Sequence, residues 1–334
     1  MPELLLFATL CCAVMTAALM WMLRPPRPAE AIIRACAAAA GAASVSVTVG
    51  VATGADTAVF FLASAFAAAP VSVLLGAAAE EARPGHRGVA WALALTWSLV
   101  VFPVCAVVPP LIFGMCAESE CRVEDFGGGL ALLVSSAASV LLAWRAPGGV
   151  ARESWTRFAL PVLLVWIAGA LWLASLEGVI DAYTWRILLA ALAAPLAGAV
   201  AWTLVDVLRR SDRHPLRSAA DGLLAGLVAI VPGAAGISFP WTLVVGALAG
   251  ASAALVYGLR RLATAGRAGH WALVVLTSTA VGYLAPAVAG DSIGFVFSGR
   301  IAALLPPLLA FLAVGALGVL ASVPSWAVGA RRGS

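Results

Sequence analysis

The sequence predicts an all-α protein that crosses a membrane many times. Three observations carry that expectation. Of the 334 residues, 63% are hydrophobic and 11% are charged, and the mean hydropathy is +1.03. A water-soluble domain has no use for so much apolar surface. Apolar runs of about 20 residues, the length that spans hydrocarbon as a helix, recur along the whole chain. The charges that remain are gathered in short gaps between those runs. A backbone crossing lipid must satisfy its own hydrogen bonds, and unbroken runs of this kind do so as helices.

Bounding each run by charge, Pro or Gly gives eleven segments, at about 3–23, 31–53, 56–79, 88–113, 125–144, 157–176, 183–208, 218–236, 240–259, 269–289 and 300–323. The first has no basic stretch before it and is followed by Arg24 and Arg27, so it reads as a spanning helix and not as a cleaved signal. With no soluble domain, long linker or low-complexity tail, residues 1–334 read as one membrane domain. The richness in Ala, Gly and Leu suits helices whose backbones come close together in lipid.

The net charge of +4 comes from arginine, since the chain has no lysine. Alternate gaps carry Arg24 and Arg27; Arg83 and Arg87; Arg145, Arg152 and Arg157; Arg209, Arg210, Arg213 and Arg217; Arg260, Arg261 and Arg267; and Arg331 and Arg332. The other gaps carry Asp56; Glu118, Glu120, Arg122 and Glu124; Glu177 and Asp181; and Asp291. Such alternation marks topology and not a nucleic-acid patch, and it places the N-terminus outside and the C-terminus in the cytoplasm. Asp206 and Asp221 flank the richest arginine gap and are expected to pair with Arg209, Arg210 or Arg217.

Chemistry that would mark an enzyme is missing. No Walker A motif, H-E-x-x-H pair or cysteine–histidine cluster with metal-ligand spacing is present, and no cofactor is implied. Cys11, Cys12, Cys36 and Cys105 fall inside apolar runs and read as small packing residues. Cys116 and Cys121 share one polar gap and are a candidate disulfide if that gap faces an oxidising compartment.

The fifth segment opens abruptly: Glu124 and Asp125 stand at its edge, with Gly127, Gly128 and Gly129 directly behind. Asp125 reads either as a carboxylate that starts the helix or as one that collects a cation at a vestibule. The glycines call for close helix approach. This stretch resembles the D-F-A-G-G-type opening of the fifth helix in the ammonium transporter (Amt/Rh) family. Residues 60–85, 91–108 and 218–250 are similar to that family's third, fourth and eighth-to-ninth helices, in the same order. The resemblance runs from about residue 5 to residue 323 and implies two inverted halves of five helices plus a last helix, a homotrimer in the plasma membrane, and one narrow ammonium or ammonia pore per subunit.

Carried over residue by residue, the resemblance places Asp125 at the vestibule, a gate at Phe66 and the aromatic wall, tryptophan in the family, at Phe113. The family's twin pore histidines, which handle the proton, fall at Leu133 and near Val275 or Leu276. The chain's three histidines, His86, His214 and His270, all lie in or beside arginine-bearing gaps and read as solvated loop residues. The sixth helix is shortened, and the tail after the last segment, residues 324–334, is too short for the family's cytoplasmic coupling segment. The expectation is a divergent channel for neutral ammonia or a similarly small solute, with Leu133 and Val275 lining a hydrophobic constriction. The alternative is a non-conducting relative serving as a structural or sensory partner. Reporter fusions test the topology on which both rest: the 209–217 gap should report from the cytoplasm and the 114–124 gap from outside. A 209–217 gap found outside would overturn it.

Overall fold

A computed structural model describes residues 2–53, 62, 65–84, 86–106, 124–141, 155–259, 267–291 and 294–328. Twelve α-helices run through the described residues: α1 Pro2–Leu23, α2 Pro28–Thr53, α3 Ala68–Ala82, α4 Arg87–Thr96, α5 Ser135–Val140, α6 Trp155–Ser175, α7 Ala182–Leu208, α8 Pro215–Ile230, α9 Phe239–Tyr257, α10 Arg267–Ala289, α11 Phe295–Ser298 and α12 Leu305–Val328. α4 continues through a π-helical stretch, Trp97–Val101, and α5 is preceded by another, Gly129–Val134. The only β pairing among these residues is one isolated bridge, Ile237 to Gly290.

Seven helices among the described residues are long and apolar enough to cross a membrane: Glu3–Leu23, Arg87–Ala106, Phe158–Ser175, Ala182–Leu208, Phe239–Tyr257, Gly269–Ala289 and Ile301–Ala327. The expected segments 56–79, 88–113 and 125–144 lie only partly within the described residues. Of the described helices, α3 has 15 residues and α8 has 16, the latter with Arg217 and Asp221 inside it. At the fifth segment the described apolar helix covers Gly129–Val140.

Sequence sets the helix starts. Asp181 caps α7 by accepting the N–H groups of Tyr183 and Thr184, and Thr184 returns the bond as a capping box. α8 opens with Pro215, whose missing N–H costs nothing at that position, behind a cap from the His214 ring.

α7, α8 and α9 pack as a tight sheaf, and α1 lies along α6. The sheaf depends on glycine. A Cβ on Gly226 of α8 or on Gly246 of α9 would strike the same carbonyl oxygen, that of Ala194 in α7. Backbone therefore meets backbone there, the contact that holds helices together in lipid.

Ionic contacts join the helix ends. Arg34 of α2 bonds Glu80 of α3 at 3.1 Å, and Trp91 of α4 bonds Glu30 of α2 at 2.8 Å. At the end of α7 and the start of α8, Arg213 and Arg217 pair with Asp221. At the other end of α7, Arg186 pairs with Asp291 after α10.

Candidate functional site

The acidic edge and the three glycines form a joint between α5 and α8. Gly128 has φ +69°, a left-handed turn that glycine adopts without strain. That turn folds Asp125 back over the helix start. Gly129 N–H donates to its Oδ1 at 2.5 Å and Leu130 N–H to its Oδ2 at 2.9 Å. Phe126 N–H donates to the Pro232 carbonyl at 2.9 Å, and Gly127 N–H to that of Val231 at 3.1 Å, stitching the turn to the end of α8. A Cβ on Gly127 would collide with the Val231 and Leu173 side chains, and one on Gly129 with the Pro232 ring. Helical structure thus begins at Gly129, four residues beyond the expected start, and both Asp125 oxygens serve the backbone.

Behind this joint lies a cavity of about 120 Å³, walled by α1, α3, α6, α8 and α10 and by the residues from Leu132 to Ser136. Leu133 and Val275 both line it, together with Met15, Trp172, Leu227 and Trp271. Leu276, the alternative position on α10, packs against the core and does not line this cavity. Leu133 sits in the π-helical stretch Gly129–Val134, whose wider turn brings the neighbours Leu132 and Leu133 to the same wall. The hydroxyl of Ser136, which also lines the cavity, is committed to the Leu132 carbonyl at 2.5 Å.

A second cavity, of about 310 Å³, adjoins the first and shares Leu74, Ser136, Trp271 and Val275 with it. Arg24, Glu80 and Glu81 line its mouth. Phe66 is half-buried at the start of α3, packed on the core one residue before Ala67, which lines the central cavity. Neither Phe66 nor Asp125 itself reaches that cavity. Phe113, Cys116 and Cys121 lie outside the described residues.

A polar cluster that sequence reasoning did not assemble closes the arginine-bearing end of the second half. His270 is only 5% exposed, not solvated as expected, because α10 begins at Arg267 and draws it under the Tyr257 and Trp202 rings. Its Nε2 lies 3.4 Å from Asp221 Oδ1. Asp221 pairs with Arg217, as expected, at 3.5 Å, and more closely with Arg213, which was not named for it. Asp206 accepts from Ser218 at 2.6 Å and from the Trp202 indole at 3.1 Å, with Arg213 at 3.7 Å. Arg209 instead donates to the Leu255 and Gly258 carbonyls. The four-residue spacing of Trp202 with Asp206 and of Arg217 with Asp221 was the available signal for this cluster. Among the described residues no group of His, Cys, Asp and Glu side chains is arranged to hold a metal ion.

Spanning helices ranged around an apolar throat, with a charged mouth at one face, define a helical membrane transporter fold. The comparisons agree. A sequence model described as Ammonium Transporter Family matches residues 33–292, and the chain belongs to that family. The fold is similar to the crystal structure of Mep2 from Candida albicans, at 15% identity and TM-score 0.77, covering 96% of this chain and 83% of that one. Mep2 from Saccharomyces cerevisiae gives 14% identity and TM-score 0.76 over 96% and 84%. A protein described as Sensor Amt Protein gives 12% identity and TM-score 0.77 over 98% and 92%. No curated protein matches the chain significantly by sequence.

The buried cluster generates a prediction. Asp221→Ala leaves Arg213 and Arg217 without their shared carboxylate and should lower stability by about 3–5 kcal/mol. Arg87→Ala, on an exposed side chain, should stay within about 0.5 kcal/mol. Thermal unfolding in detergent reads both, and equal stability for the two variants would contradict the pairing.

Proposed function

We propose that the chain passes neutral ammonia, or a similarly small uncharged solute, through the throat lined by Leu133 and Val275. One observation carries this reading: the apolar cavity that Leu133 and Val275 line has no titratable side chain on its wall, and its one hydroxyl, that of Ser136, is committed to the Leu132 carbonyl. An intact ammonium ion there would be unpaired in hydrocarbon, at a cost of several kcal/mol. Proton handling at mid-membrane needs a group such as histidine, which neither Leu133 nor Val275 supplies.

In this reading Phe66, with Phe113, forms an aromatic outer site that can attract a cation through its ring faces before the proton is lost. Asp125 works by fixing the start of the fifth helix beside Val231 and Pro232, not by offering a free oxygen to the solute. The solute leaves past Trp271 through the mouth at Arg24 and Glu80. The chain is placed in the plasma membrane as eleven spans, N-terminus outside and arginine-bearing face in the cytoplasm, and as a homotrimer, in line with the family resemblance. The second reading, a non-conducting structural or sensory partner, is favoured by one observation, the filling of both expected histidine positions with aliphatic side chains.

An ammonium pulse on a supported membrane tests the mechanism. No protein-dependent current should appear, because only the neutral species crosses. Leu133→His combined with Val275→His should create a current, since the two positions line one cavity. A substantial current from the unsubstituted protein would sink the proposal.

A further inference from the structure

The central cavity invites a question that ammonia does not answer. Its volume is about 120 Å³, whereas a water-sized molecule such as ammonia claims only about 30 Å³. An ammonia molecule held there would touch one wall at a time and forfeit most of its dispersion contacts. It would also bring N–H groups and a lone pair into surroundings of Met15, Leu133, Leu227 and Val275, where the nearby Ser136 hydroxyl is already bonded to a carbonyl. A molecule with no hydrogen bonds to lose escapes that penalty.

We propose that this cavity is a dry binding site for small apolar molecules, of the class of noble gases and hydrocarbons of up to about six heavy atoms. The size argument is direct. An apolar protein cavity of about 150 Å³ stays free of water and holds benzene or xenon, and a buried water needs two to four polar partners to remain. This cavity is slightly smaller and lined in the same way, with the addition of two indole rings, Trp172 and Trp271. Flat ring faces supply a large contact area for a polarisable guest. Access is also built, because the 310 Å³ mouth cavity adjoins it across Trp271 and Val275. Occupation of the site does not depend on whether the chain conducts. In a conducting chain the guest would stand between Leu133 and Val275 and obstruct any other solute.

Xenon NMR on the full chain in detergent micelles tests this, with benzene as competitor. A saturable, protein-dependent xenon shift is expected, and benzene should displace it. Leu133→Trp or Val275→Phe, each with helical circular dichroism unchanged, should abolish the shift by filling the cavity. Leu189→Trp, on an exposed surface of α7, should leave it intact. Absence of a saturable shift in the unsubstituted protein, or a shift that benzene does not displace, would overturn the proposal. So would a shift that survives in a folded Leu133→Trp variant. Xenon binding without any ammonia permeability would defeat the conducting reading alone, and permeability without xenon binding would defeat this one alone.

Discussion

Apolar helices gain nothing from the hydrophobic effect when they associate within hydrocarbon, so this bundle has to be held by close backbone contact. The Ala194 carbonyl shows how. Two helices, through Gly226 and Gly246, press against that single oxygen, and any side chain at either position would separate them. Where glycine is present the helices touch; where Met15, Leu133, Leu227, Trp172 and Trp271 face one another they stand apart, and the central cavity remains. Tight sheaf and open throat are two results of one packing rule.

The joint between α5 and α8 transmits that rule to the throat. Val231 and Pro232 follow the glycine-rich helix α8, and their carbonyls receive the N–H groups of Phe126 and Gly127. Asp125 then supplies the first acceptors for α5. Because α5 starts late and starts as a π-helical stretch, Leu133 faces the cavity rather than the helix behind it. At the other end of α10, adjacent residues divide the work: His270 enters the buried ionic cluster, and Trp271 lines both cavities. On α10 the buried ionic cluster therefore ends one residue before the side chain that lines both cavities.

Much of this was legible in the sequence. Long apolar runs bounded by arginine pointed to membrane-spanning helices, and seven of the described helices are long and apolar enough to cross a membrane. The acidic edge and glycine triplet marked the joint, and the family resemblance, carried over from Asp125, pointed to Leu133. On α10, Val275 and Leu276 could not be separated, because an apolar helix surrounded by apolar neighbours has no polar side to orient it. His270 was misread for a related reason: nearness to a charged gap suggested solvent, while its burial depends on Trp202 and Tyr257, which are distant in sequence. The start of α5 was misplaced because a left-handed glycine turn leaves no mark in an apolar run beyond the glycine itself.

The central claim is that a throat without a titratable side chain still admits a neutral solute. Stopped-flow measurement of internal pH in proteoliposomes tests it most directly. On mixing with an ammonium salt, internal alkalinisation should be faster than in protein-free liposomes, and Leu133→Trp should return the rate to the protein-free value. Identical rates with and without the protein would contradict the account and leave the non-conducting partner as the better description.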